Sequence, residues 1–306
     1  MKLRAKDRPK RQDRKARPIR KGTVILVGAG KLASFLAPAL KRAGFTITEI
    51  VARDQPASMK RAQKLARAVG ANAVKMGEAA LNSEIVWLAV PDSRIRRIAE
   101  SLASRANLGA VRFAFHSSGA LGSRELAPLK SAGLAVASVH PLMTFVPGRK
   151  PALSGVPFAM EGDASAVRKA RAIVRAIGGK SLAVAARHKA AYHAWATMTS
   201  PLLLAYLVTL EHTAGEAGVG RETARKMSLP ILRQTLDNYA RLGAADSFTG
   251  PFIRGDSETV AKHLELSKRN SQVLAVYVAL ARVALDALPV RNREIIKRLI
   301  EGHIRR

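Results

Sequence analysis

Between Thr23 and Ala33 the chain reads Thr-Val-Ile-Leu-Val-Gly-Ala-Gly-Lys-Leu-Ala: five strand-forming residues, two glycines, and the opening of a helical pattern. A strand that turns this sharply into a helix needs a first glycine for the turn and a second so that backbone can approach a pyrophosphate. It also needs a small third residue where helix meets sheet. Gly28, Gly30 and Ala33 fill those three places. The pattern predicts the first strand and helix of a dinucleotide-binding sheet, with Gly28, Ala29, Gly30, Lys31 and Leu32 at the phosphate turn. A tight turn that binds nothing would use the same glycines, so the surrounding pattern has to decide.

From Thr23 to about Ala185, short β-branched runs alternate with longer helical stretches, as in a parallel, doubly wound α/β sheet. Strands are expected at 23–27, 46–52, 73–75, 84–90, 112–115, 134–139, 156–161 and 180–184. Helices are expected at 32–43, 57–69, 93–103, 124–131 and 164–177. After about Ala186 the strand signals stop. Helices are then expected at 187–217, 221–242, 257–269, 271–288 and 291–303, with one long loop at 243–256. The predicted organisation is a basic arm over 1–21, a Rossmann domain over 22–186 and an all-helical substrate and dimerisation domain over 187–306.

The 306 residues are 48% hydrophobic, enough for a sizeable core without staples. The chain has no cysteine, which excludes disulfides, thiolate metal sites and cysteine nucleophiles and suits a reducing cytoplasm. No metal site is expected. The net charge is +30, and residues 1–21 hold eleven Lys or Arg against Asp7 and Asp13. Such a segment buries nothing, so it reads as a disordered arm that attracts polyanions through charge alone. It has no aromatic residue on which a base could stack, so nucleic acid is expected only as a non-specific partner of that arm. No apolar stretch follows it before Val24, so no secretory signal is expected. Residues 190–210 carry no formal charge and are long enough to span a bilayer. They also include Tyr192, His193, Thr197, Thr199, Ser200 and Pro201, which points to a buried core helix and no membrane partner.

The end of the second strand selects the cofactor, because an acidic residue there binds the ribose hydroxyls and repels a 2′-phosphate. The sequence is Val51-Ala52-Arg53-Asp54. Arg53, with Lys60 and Arg61 on the next helix, favours NADP; Asp54 one step later keeps NAD open. The fourth strand ends at Val90-Pro91-Asp92, a corner that either packs on the cofactor's ribose or simply ends a strand.

Two further strand ends carry candidate chemistry. His116-Ser117-Ser118-Gly119 presents hydroxyls and backbone amides at the carboxyl edge of the sheet, suited to a carboxylate or carbonyl oxygen. His140-Pro141-Leu142-Met143-Thr144-Phe145 brings a second histidine to that edge. Either histidine could instead be structural. On the first helix beyond the sheet, Lys189, His193 and Ser200 are spaced to share one face. A lysine partly buried beside a histidine is a suitable general acid for a reduced carbonyl or imine. A solvated lysine at a helix start is the alternative.

With Val27-Gly28-Ala29-Gly30-Lys31-Leu32-Ala33, Ala89-Val90-Pro91-Asp92, the two histidine segments, Lys189-Ala190-Ala191-Tyr192-His193-Ala194, Thr249-Gly250-Pro251 and Arg254-Gly255-Asp256, the chain resembles a known family. It is that of Rossmann-like oxidoreductases with a C-terminal helical domain of unknown function. Its relatives are deazaflavin-dependent NADP reductases, pyrroline-carboxylate reductases and hydroxyacid dehydrogenases. The resemblance runs from about Thr23 to Leu288. It implies an NADP-linked reductase of a small 2-oxo or imino acid, ketopantoate among them, with a site between the domains and a homodimer. It also implies Lys189, His193 and Ser117 as catalytic residues, and His116, Ser118, His140, Thr144, Ser200 and Arg254 toward the substrate. Relatives often have Ser-Asn where this chain has Ser200-Pro201, which implies a different substrate or a weakened site. A non-catalytic dinucleotide-binding regulator, and a polyanion binder using the arm, are the competing readings.

Overall fold

The computed structural model describes residues 22–105, 108–146 and 153–303. The segment 1–21, where the sequence predicts an arm, lies outside the described residues. Eight strands form one sheet: Thr23–Val27 (β1), Thr46–Ala52 (β2), Asn72–Lys75 (β3), Ile85–Leu88 (β4), Phe113–His116 (β5), Ala135–Pro141 (β6), Pro157–Gly162 (β7) and Lys180–Ala183 (β8). Their order is β3-β2-β1-β4-β5-β6-β7-β8. The helices Lys31–Arg42 (α1), Pro56–Val69 (α2), Asp92–Ala103 (α3), Ala127–Ser131 (α4) and Ala164–Ala176 (α5) lie between strands.

β1 through β6 are parallel, but β7 pairs antiparallel with β6, so the all-parallel expectation fails at that edge. No helix forms between β6 and β7 among the described residues. A parallel return is usually made through a crossover helix, so its lack among the described residues accords with the antiparallel pairing.

β1 is apolar at nearly every position because both faces of the sheet are covered. Val24 and Leu26 join the core beneath α1, α2 and α5, while Ile25 and Val27 join the core beneath α3 and α4. α1 buries Ala33, Leu36, Ala37 and Leu40, a helical spacing. Leu36 and Leu40 are fully buried, and each such side chain stabilises the domain by roughly 1.5–3 kcal/mol. This packing fixes where β1 ends and α1 begins, and so fixes the glycine turn. Strand order reverses at β1, which pairs with β2 on one side and β4 on the other, opening a crevice at their carboxyl ends.

The described residues divide into two compact units between Ala196 and Thr197, whereas the sequence reading put the boundary at 186/187. The remaining helices are Lys189–Thr199 (α6), Pro201–Glu216 (α7), Arg221–Ser247 (α8), Pro251–Arg254 (α9), Ser257–Ser267 (α10), Ser271–Ala287 (α11) and Arg293–Gly302 (α12). The single helix expected over 187–217 is therefore two. Ser200 takes φ −128° and ψ −76°, because the ring of Pro201 disfavours a helical residue before it. The loop expected at 243–256 is partly helical: α8 continues past a non-helical Gly243 to Ser247, and α9 follows. In the C-terminal unit the core is built by α10, α11 and α12 around Val260, Leu264, Leu285 and Ile296. α7 has no buried residue, which overturns the buried-core expectation for that part of 190–210. Among the described residues no helix is long and apolar enough to cross a membrane.

Candidate functional site

Gly28 has φ +106°, and a Cβ there would collide with the carbonyl oxygen of Ala89. Its N–H donates to Val51 O at 2.8 Å, stitching the turn to β2. Only glycine satisfies both the left-handed backbone and the contact with the chain after β4. Around Gly30 the space is open, with nothing nearer to a Cβ position than Ala89 O at 4.0 Å. No side chain caps α1, so its first amides are available to an anion.

A cavity of about 640 Å³ opens from this turn. Gly28, Ala29, Gly30, Val90 and Pro91 line it, as the sequence predicts, and so does Arg53. Arg61 joins Arg53 there, but Lys60 does not; Arg94 and Arg97 of α3 supply further charge that the sequence reading missed. Their signal was present as two arginines three residues apart just after Pro91-Asp92, on a corner read only as apolar. Asp54 lines the cavity as well, but its carboxylate is paired 3.0 Å from Lys75, and this bond and charge raise the Lys75 pKa. Lys31 is exposed at the start of α1. Asp92 was expected on the cofactor; it instead accepts the Ser118 hydroxyl proton at 2.7 Å, tying α3 to the loop after β5.

A second cavity, of about 250 Å³, shares Ala89 and Val90 with the first. Leu32, Ser117, His140, Met143 and Phe145 also line it. The indole N–H of Trp87 donates to Ser117 Oγ at 2.8 Å. His140 Nδ1 lies 2.7 Å from the hydroxyl of Tyr192, which is buried on α6. Burial first, then the positive charge of Lys189 and the neighbouring His193, pushes the His140 pKa down to about 4. Burial raises that of Tyr192 to about 12.

His116 does not reach either cavity. It is fully buried, its Nε2 faces Gly122 O at 3.0 Å, and its Nδ1 accepts the Ser118 N–H at 3.1 Å. Both ring nitrogens are spent inside its own loop, so the substrate role inferred for it is replaced by a structural one. Ser118 likewise is buried, its hydroxyl bonded to Asp92 and accepting from Leu121 N.

Lys189 is only 3% exposed. Its ammonium donates to Ser118 O and to Ser138 Oγ, both at 2.9 Å, and so clamps the ends of β5 and β6. Burial lowers its pKa, opposed by the charges of Glu161 and Asp92. His193 on the next turn is exposed, with its ring 6.5 Å from that of His140. A Cβ on Gly119 would lie 2.7 Å from His193 Cδ2 and 2.9 Å from His140 Nε2, so bare backbone there lets both rings approach. The shared face of Lys189, His193 and Ser200 is not found, because the helix breaks at Ser200. Thr144 is exposed and lines neither cavity, and Arg254 is exposed on α9 of the C-terminal unit. Tyr192, Trp87, Ser138 and Glu161 were missed as site residues. Only Tyr192, lying between Lys189 and His193, carried a local signal.

The description "Rossmann-like domain" matches residues 7–141, and "domain of unknown function (DUF2520)" matches residues 156–284. No curated protein sequence matches. Among solved structures, a protein from Thermotoga maritima is 25% identical with a TM-score of 0.67, covering 92% of this chain and 100% of that one. An imine reductase from Myxococcus stipitatus in complex with NADP+ is 16% identical with a TM-score of 0.63, covering 92% and 99%. A pyrroline-5-carboxylate reductase from Coxiella burnetii is 13% identical with a TM-score of 0.55, covering 93% and 98%. The fold therefore has counterparts over nearly the whole length of these chains, and this chain matches a Rossmann-like model over its N-terminal part and a DUF2520 model over the part that follows.

Proposed function

We propose that this protein is an NADP-dependent reductase of a small imino or 2-oxo acid. One observation carries the reading: the cavity that opens from Gly28 and Gly30 meets, at Ala89 and Val90, a second and smaller cavity lined by Ser117 and His140. A dinucleotide laid along the first would end where the second begins. Gly28 and Gly30 would hold its pyrophosphate, and Arg53 and Arg61 a 2′-phosphate. The ion pair of Asp54 with Lys75 supports NADP over NAD, since it offsets the charge that would repel the phosphate. When bound, NADPH supplies the hydride.

Ser117 and His140 orient the acceptor's C=N or C=O group beside the junction of the cavities. His193, exposed to solvent and set nearly edge-on to the His140 ring, delivers the proton that balances the hydride. Lys189 and His193, paired in the sequence reading as one proton donor, thus divide the work. Lys189 holds both strand ends and adds positive charge that favours a carboxylate. The activities named for the imine and pyrroline-5-carboxylate reductases make C=N the first class to test, with 2-oxo acids, ketopantoate included, second.

A second copy of this chain is the proposed partner, as the family resemblance implies. It would cover apolar residues of α7 and α8 that the single chain leaves open: Leu204 is 62% exposed, Ile231 68% and Leu236 60%. A reducing cytoplasm is the proposed compartment, on the absence of cysteine.

The test is a panel of cyclic imines, imino acids and 2-oxo acids with NADPH, followed by absorbance. Consumption of NADPH with one class is expected. Tight NADPH binding with no turnover on any of them would sink the reductase reading in favour of a regulator.

A further inference from the structure

Two residues of the smaller cavity have their hydrogen-bonding polarity set from behind. The indole N–H of Trp87 can only donate, so Ser117 Oγ accepts from it, and the serine's own proton has no partner among the described residues. That proton is free to point into the cavity that Ser117 lines. At His140 the same logic applies through Tyr192. Tyr192 is buried, and the one hydrogen bond of its hydroxyl among the described residues is to His140 Nδ1. If it accepted a proton from Nδ1, its own O–H would be left buried without an acceptor. Donation from Tyr192 to Nδ1 satisfies both groups, and it puts the ring's proton on Nε2.

We propose that the smaller cavity is a subsite for a carboxylate or carbonyl oxygen, bound by the Ser117 hydroxyl and by His140 Nε2–H, with Trp87 and Tyr192 as the positioning residues that make both of them donors. The proposal rests on the reductase reading for its biological sense, but its geometry stands apart from any reaction. With its pKa held near 4, His140 is neutral at pH 7 and therefore a one-proton donor whose tautomer matters. The buried ammonium of Lys189 adds positive potential behind the loop, which opposes an amine or other cation and favours an anion or a carbonyl oxygen. The rest of the lining is apolar, from Leu32, Val90, Met143 and Phe145. At about 250 Å³ the cavity suits a small organic acid with a short hydrocarbon part.

The full-length protein labelled with 15N-histidine tests this, with His140→Gln used to assign the signals. At pH 7 the wild type should give a pyrrole-type Nε2 and a pyridine-type Nδ1 for His140. Tyr192→Phe, which keeps the ring and loses the hydroxyl, should give a mixture of the two tautomers. In the presence of NADP+, pyruvate should move the Nε2 signal, methylammonium should not, and Ser117→Ala should weaken the pyruvate effect at least fivefold. A His140 protonated on Nδ1 in the wild type overturns the proposal, and that measurement stands even where Tyr192→Phe fails to fold. Pyruvate affinity unchanged in Ser117→Ala also overturns it. The two readings fail separately. A protein with the expected tautomer and pyruvate binding but no NADPH oxidation keeps the subsite and loses the reductase, while NADPH oxidation with a proton on Nδ1 does the reverse.

Discussion

His116 and His140 sit at the same edge of the sheet, at the ends of neighbouring strands β5 and β6, and burial holds both rings at a pKa of about 4. Their uses differ because their nitrogens are committed differently. His116 spends Nε2 on Gly122 and Nδ1 on Ser118, both within its own loop. His140 spends only Nδ1, on Tyr192, and its other nitrogen lies by the bare backbone of Gly119. A histidine at the carboxyl edge of a parallel sheet is thus no sign of chemistry by itself; an uncommitted nitrogen facing a cavity is. The first ring is part of the skeleton that shapes the loop, and the second uses the shape.

The largest expected effect comes from removing the skeleton. His116→Ala leaves the Ser118 N–H and the Gly122 carbonyl without partners and opens a void in a closed loop, so a loss of about 3 kcal/mol is expected. His140→Ala also leaves the Tyr192 hydroxyl without its partner, but beside an existing cavity that water can enter, so a smaller loss, of about 1.5 kcal/mol, is expected. Urea unfolding of the two variants checks this, and equal losses would erase the distinction.

Acid should expose the same pair. Both rings are neutral in the folded protein down to about pH 4, whereas an unfolded histidine takes its proton near pH 6.5. The folded pKa is depressed, so the stability linked to each ring is fully present above about pH 6.5 and is lost as pH falls from there toward about 4. For the closed His116 ring the full loss is on the order of 3 kcal/mol. Urea midpoints between pH 7.5 and 4.5 should fall in the wild type and fall less in His116→Asn. A midpoint that does not move with pH would mean that His116 is hydrated, not buried.

The sequence made β1, the glycine turn and the alternation of strands with helices legible because each is local: an apolar run, two glycines and alternating periods suffice to specify them. The reversed strand β7 was not legible, since an antiparallel return depends on a connection that carries no helix signal of its own. The site was legible to the level of which strand ends meet. Lys189, His193, Ser117 and His140 stood out because polar residues interrupt apolar patterns, but their pairing did not. Lys189 reaches Ser118 and Ser138 across 71 and 51 residues of chain, not its helical neighbour His193. Trp87 was hidden for the opposite reason: it sits among the buried residues of β4 and reads as core, although its N–H is what fixes Ser117.

Arg53 offers a smaller effect that should leave the histidine edge untouched. It lines the larger cavity and is exposed, so a charge-assisted phosphate contact there is discounted by solvent to about 1.5 kcal/mol, or about tenfold. NADPH should bind more tightly than NADH in the wild type, and Arg53→Ala should remove most of that preference without changing His140's tautomer. Fluorescence titration of both cofactors measures it. Equal affinities in the wild type would leave Arg94 and Arg97 as the lining's other arginines on α3 and remove the reason for assigning the 2′-phosphate to β2.

Gly119→Ala should have the smallest effect on stability and still separate the two strand ends. The backbone at Gly119 is outside the left-handed region, so a side chain there brings no intrinsic strain. What the new methyl group meets is the His193 ring at 2.7 Å and the His140 ring at 2.9 Å. His193 is exposed and can swing into solvent, while His140 is held by Tyr192 and must tilt against that bond. Because one ring yields freely, the cost in stability is expected to stay below about 1 kcal/mol. Because the other ring yields against its anchor, the His140 15N signals should shift and turnover, once a substrate is found, should fall severalfold. The His116 signals should stay where they are, since that ring touches neither the methyl nor the cavity. A loss of several kcal/mol would show that His140 is as firmly built into its loop as His116, and the division between skeleton and site would have to be drawn elsewhere.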